Sequence, residues 1–445
     1  MSSIGTYAED DFTWRQRWQT GNLVRKDPSQ ALPVLPPEVW EHIIKMESGD
    51  NKTLKACAHV CRSWYFESRI TSFAHLLCRN QADVRCYVNL LKSPRAHLPS
   101  LRERTRSLCI EPQYPSRCSI LSTAVTELAG ELPRLDSISI RYTDWQPSEM
   151  HKDAFAPLSR LSSVTQLHLY RVKFPSINVF HRLISALPRL TGLECCLVSV
   201  GGVSSYHSAC KSSVSLKRLH IDEKSYEIIP SMTSTRMLDA LEVAELEGDR
   251  TMMSQLHAWQ TQRLLSSAGG SLLELQIEAD AGSAVEEAVR HDIGVALKAN
   301  SKLQKLRLRL KTWHLDAVYL RWLNAMLATI TSNQLRQITV LLMGRSEKPL
   351  AGKQSIETYA LRIDSVDIFS QPATSSQLDD LLSSKQFEAL AEVDFQLQDF
   401  SLGWKDLQPL GQRLSSRIVS QYPKLHKRGV LRTSVIDYYG NVLTL

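Results

Sequence analysis

The feature that most constrains this chain is a recurring apolar hexad, L-x-x-L-x-L, with Val, Ile, Cys or Phe allowed at the apolar places. It occurs as LDSISI (135–140), VTQLHL (164–169), LTGLEC (190–195), LKRLHI (216–221), LDALEV (238–243), LLELQI (272–277), LQKLRL (303–308), LRQITV (335–340) and LAEVDF (390–395). Two weaker copies open on Thr: TRSLCI at 105–110 and TYALRI at 358–363. Successive starts lie between 22 and 34 residues apart, which leaves room for one short strand and one return segment in each interval.

Inside a hexad the L-x-L alternation sends two apolar side chains to one face of a strand and the residues between them to the other. Between hexads the period becomes helical, as in Phe180, Leu183, Ile184 and Leu187, and again in Leu320, Leu323, Leu327 and Ile330. The tetrad LPRL recurs at 132–135 and 187–190, each time where a proline stops a helix. A strand and a returning helix, repeated, predict an α/β fold in which parallel strands stack with helices outside, an irregular solenoid over residues 98–445. Eleven strands about 4.8 Å apart would present a sheet face on the order of 50 Å long. The pattern resembles the leucine-rich-repeat family, which implies a binding surface. The family's Asn or Cys, three residues past the last apolar place, is replaced here by Thr143, Val172, Val198, Lys224 and Asp280. The stretch from Trp404 to Leu445 is expected to cap the open end.

If the leucines face the helices, the intervening residues line the exposed sheet. They give Glu242, Glu274 and Glu278, then Lys305, Arg307 and Arg309, and in the last copy Glu392 and Asp394. Two readings stand side by side. Either this boundary grips a charged segment of a protein substrate, with Arg307 or Arg309 on a carboxylate or phosphate, or neighbouring strands pair opposite signs for their own stability.

Ahead of the repeats, residues 1–31 form a polar tail and linker in which Trp14 and Trp18 stand four apart, the spacing of one face of a short docking helix. The stretch LPPEVWEHII (35–44) then starts a helix: Pro36 and Pro37 suit its first turn, and Glu38 and Glu41 its positive end. Asp50 or Asn51 can cap a second helix carrying Leu54, Cys57 and Cys61, and SWYFESRITSFAHLL predicts a third that reaches Leu77. Three short helices cannot bury all this apolar surface among themselves, so something else must cover the remainder.

Leu35-Pro36, Glu38-Val39, Ile43-Ile44, Leu54, Val60-Cys61-Arg62 and Trp64, in that order and spacing, resemble an F-box, over a domain placed at residues 32–80. The resemblance implies docking to the Skp-family adaptor of a cullin-RING ubiquitin ligase, with the repeats selecting a protein substrate. The adaptor contacts it implies, or their packing support, are Leu35, Pro36, Val39, Ile43, Ile44, Leu54, Val60, Cys61 and Trp64. An alternative within the same resemblance is a binding scaffold that uses the adaptor outside any ligase. The family's large aliphatic residue near the end of the first helix falls to Met46 here.

No phosphate-binding loop, dinucleotide fingerprint, H-E-x-x-H or G-x-S-x-G occurs, and Cys195-Cys196 has no identifiable base, so a non-catalytic chain without cofactor or metal is expected. The nine cysteines form no C-x-x-C pair and none lies beyond Cys210, which fits buried thiols of an intracellular protein, cytoplasmic or nuclear. No 18-residue apolar run or basic-then-apolar leader points to a membrane or to secretion. Of the net charge of +7, residues 1–110 carry +5, so the repeats are nearly neutral and nucleic acid is disfavoured as a partner.

Overall fold

The computed structural model describes residues 36–48, 50–92, 100–112, 119–145, 155–201, 214–248, 255–279, 295–310, 317–343, 372–398, 404–437 and 441–444. Leu35, the tail with Trp14 and Trp18, and the copy TYALRI lie outside them. The chain divides into two units, Met1–Pro175 with Arg182–Arg189, and Ser176–His181 with Leu190–Leu445.

The first unit begins with α1 (Pro37–Met46), α2 (Asn51–Ala58) and α3 (Arg62–Phe73). Pro37 opens α1 at a place where its missing N–H costs nothing, with Glu38 in the first turn and Lys45 in the last. Of the two possible caps of α2, Asp50 serves: its carboxylate accepts from Lys52 N at 2.9 Å and Thr53 N at 3.2 Å. Four parallel strands follow, β1 (His75–Cys78), β2 (Ser107–Ile110), β3 (Ser137–Asp144) and β4 (Gln166–Phe174), paired in chain order. Helices Gln81–Lys92, Ser119–Leu128 and Phe155–Leu158 pack in succession beside them.

Strand β1 departs from expectation, because α3 stops at Phe73 and the chain then turns into the sheet. FAHLLC (73–78) is itself a loose hexad, and Leu76 and Cys78 pair in register with Leu108 and Ile110. Tertiary pairing has overridden a segment whose isolated pattern reads equally well as helix.

In the second unit the strands are β5 (Gly192–Cys196), the two-residue β6 (Ser199–Val200), β7 (Arg218–Asp222), β8 (Val243–Glu247), β9 (Glu274–Ala279), β10 (Lys305–Leu310), β11 (Gln337–Met343), β12 (Glu392–Gln398), β13 (Leu431–Ile436) and β14 (Val442–Thr444). Parallel pairing runs β5-β7-β8-β9-β10-β11-β12-β13, and antiparallel β14 closes the edge. Strand β11 pairs directly with β12. Each unit is thus a mixed α/β layer of parallel strands and returning helices, the arrangement of a leucine-rich-repeat-like solenoid.

One hydrogen-bond pattern marks the register of the repeats. In most repeats the carbonyl after the first hexad residue accepts from two successive N–H groups of the next repeat: Ala74 from Arg106 and Ser107, Lys217 from Glu242 and Val243, Glu242 from Leu273 and Glu274, Leu273 from Gln304 and Lys305. By this register the fifth strand-forming hexad of the expected series is LEVAEL at 241–246, and LDALEV at 238–243 is out of phase by three residues. Ala244, the residue opposite Leu219 and Leu275, is too small to be recognised as a core position.

The missing Asn has a conformational substitute. Tyr142, Arg171 and Leu197, each two residues past the last hexad position, have left-handed φ of 52°, 53° and 58°. That local reversal turns the next side chain inward, so Thr143, Val172 and Val198 are buried. The helical sets at Phe180 and Leu320 are buried as their period requires.

Candidate partner-binding surfaces

On α1 the apolar residues form two stripes. Trp40 and Ile44, four apart, turn inward: Ile44 is 1% exposed, and the Trp40 ring lies 4.7 Å from that of Trp64 on α3. Val39, Ile43 and Met46, at successive i+4 and i+3 steps, turn outward and are 40%, 39% and 72% exposed. Val60 and Phe66 are exposed as well. A shallow groove of about 140 Å³ runs beside the packed stripe, lined by Pro37, Trp40, Glu41, Cys61, Trp64 and Glu67 among others.

The structure therefore sorts the candidate adaptor residues. Leu54, like Ile44, is packed in the helices' own core. Pro36, Val39, Ile43 and Val60 present surface, while Cys61 and Trp64 are half-buried at the groove. Phe66 was not foreseen; its signal is Arg62 four residues earlier, whose guanidinium lies 5.8 Å from the Phe66 ring.

The second surface is the sheet face opposite the helices. Burial alternates along β10 as expected: Leu306, Leu308 and Leu310 are buried, Lys305 and Arg307 exposed. Four of the predicted charges pair with one another across strands, and Glu242 is paired with a lysine of the preceding repeat. Lys217 reaches Glu242 at 3.0 Å, Lys305 reaches Glu274 at 2.6 Å, and Arg309 lies 3.2 Å from Glu278 and 3.6 Å from Glu247. Of the basic triplet, Arg307 alone makes no such pair among the described residues.

Glu242 itself is corrected in place: it precedes β8, and the outward residues of that strand are Val243, Glu245 and Glu247. These two glutamates flank His220, which stands 3.9 Å from Glu245 and 3.3 Å from Glu247. The close Glu247 carboxylate, aided by the charges of Glu194 and Glu245, raises the His220 pKa above 6.5 against the effect of burial. On β11 and β12 several residues of this face are buried, among them Thr339, Leu341 and Asp394. Asp394 is buried and accepts from Gln396 Nε2 at 2.6 Å and Ser434 Oγ at 3.2 Å.

Burial pushes the Cys196 thiol up to about 12 and holds that of Cys195 well above 9, which makes both poor nucleophiles. Among the described residues no group of three or more His, Cys, Asp or Glu is placed to hold a metal, and no helix is long and apolar enough to cross a membrane.

A family model described as Leucine Rich Repeat matches residues 163–188, the span of β4 and the helix Ile177–Ser185. No curated protein matches the sequence. Among solved structures the chain is similar to one from the crystal structure of the Rad7 and Elc1 complex in yeast, at 10% identity and a TM-score of 0.29, with 93% of this chain and 91% of that chain covered.

Proposed function

We propose that this chain is the substrate-recognition subunit of an Skp–cullin–F-box ubiquitin ligase, docking the adaptor through α1–α3 and a protein substrate through the sheet face. The observation that carries the reading is the outward stripe Val39, Ile43 and Met46, beside exposed Val60 and Phe66. An apolar patch presented on short helices is a place for a partner, and aromatic and methionine side chains, here Phe66 and Met46, are enriched at interface centres. In this reading the chain is non-catalytic and intracellular, and ubiquitin transfer belongs to other subunits.

The test is capture of purified Skp-family adaptor and cullin by the recombinant chain. Wild type should hold both, and Val39→Asp with Ile43→Asp should hold neither while melting at the wild-type temperature. A folded wild-type chain that captures neither partner overturns the proposal. Adaptor without cullin would select the scaffold reading instead.

A further inference from the structure

The sheet face holds one set of polar groups that the fold leaves unused. Arg307 lies at the middle of β10, opposite Gln276 on β9 and Thr339 on β11. With Gln337, these residues line a groove of about 160 Å³. Among the described residues, the side chains of Arg307, Gln276, Gln337 and Thr339 make no hydrogen bond or ion pair. Thr339 is 2% exposed and lines the groove beside Arg307. The cations on either side of Arg307 are already engaged, Lys305 by Glu274 and Arg309 by Glu278.

We propose that this groove is a carboxylate-binding site, in which Arg307 grips an Asp or Glu side chain of an extended protein segment while Gln276, Gln337 and Thr339 donate to the same segment. This rests on the reading of the sheet face as the substrate-binding surface. A planar carboxylate suits the guanidinium, which can donate two parallel N–H bonds to it. Charge chooses between carboxylate and phosphate. The groove wall also carries Glu245 and Glu274, and Lys305 offsets only the latter. Glu245 remains on the wall, and its charge opposes a phosphate near −2 more strongly than a carboxylate at −1.

The experiment is selection of random twelve-residue peptides displayed on phage against the full chain, with no adaptor or cullin present. Its failure therefore leaves the ligase reading standing, and failed adaptor capture leaves this one standing. Wild type should enrich peptides with an Asp or Glu at one fixed position. Arg307→Glu should lose that preference and favour Lys or Arg there, and Arg307→Lys should bind the selected peptide on the order of tenfold more weakly, because the fork geometry is gone. No enrichment, or an acidic preference that survives Arg307→Glu, overturns the proposal. A synthetic copy with phosphoserine at the acidic position should bind worse than the carboxylate; tighter binding would make the site a phosphate site and overturn the choice of ligand.

Discussion

Arg309 on β10 lies 3.2 Å from Glu278 on β9, and Glu278 is only 3% exposed although it sits on the sheet face opposite the helices. A carboxylate so placed is costly unless a cation meets it. Arg309→Ala is expected to destabilise the protein by about 2 kcal/mol, less than a fully buried pair because the arginine is partly exposed. Chemical denaturation measures it, and Arg309→Met with Glu278→Leu should recover most of the loss. A loss unchanged in the double variant would show that the pair is not its source.

The two stripes of α1 predict opposite behaviour. Ile44→Ala removes a fully buried side chain and should cost about 2–4 kcal/mol in urea unfolding. Ile43→Asp, one residue away but outward, should change stability by no more than about 0.5 kcal/mol.

His220 gives the stability a pH dependence. Its folded pKa is raised, so its contribution is present in full below about pH 6.5 and is lost as pH rises through the higher folded value. The groups facing it are Glu247, Glu245, Glu194 and, beyond Glu247, Arg309. Unfolding free energy should therefore fall from pH 6.5 upward, and His220→Asn should flatten that part of the profile. An identical slope in the variant would assign it to other groups.

The paired thiols on β5 should be slow to alkylate. With Cys196 raised to about 12, very little thiolate exists at pH 7.5, so iodoacetamide should modify it far more slowly in native protein than in urea. Equal rates in both states would contradict the packing of β5.

At the C-terminal end, Arg428 donates to the carbonyls of Leu382, Phe387, Glu388 and Leu390 at 2.7–3.1 Å. Arg428→Ala would leave several of them unsatisfied and should cost about 2–3 kcal/mol. Lysine, with a point charge in place of a fork, should recover only part of it.

How much of this was legible beforehand differs from one element to the next. LLELQI, LQKLRL and LRQITV could be placed in the sequence because their core positions are Leu, Ile or Val, and such alternation fixes which side chains face the core. LEVAEL was missed because Ala244 carries too little apolar surface to mark a core position, and the error of three residues put Glu242 where Glu245 and Glu247 belong. FAHLLC was missed because a short apolar run ending a helix carries no local sign that it will pair as a strand.

The sequence by itself determined the alternation of strand and helix and the apolar residues available for the core, since periodicities of two and 3.6 are properties of the local chain. Only the tertiary structure decided which of α1's apolar residues remain outside, and which member of Lys305, Arg307 and Arg309 is left without a counter-charge. Both depend on what neighbouring elements bring opposite a side chain. Pairing between Lys305 and Glu274, 31 positions apart, is fixed by strand register, and packing of Trp40 on Trp64 by the crossing of two helices. Neither the register of one strand on another nor the rotation of one helix against another is encoded within a single segment.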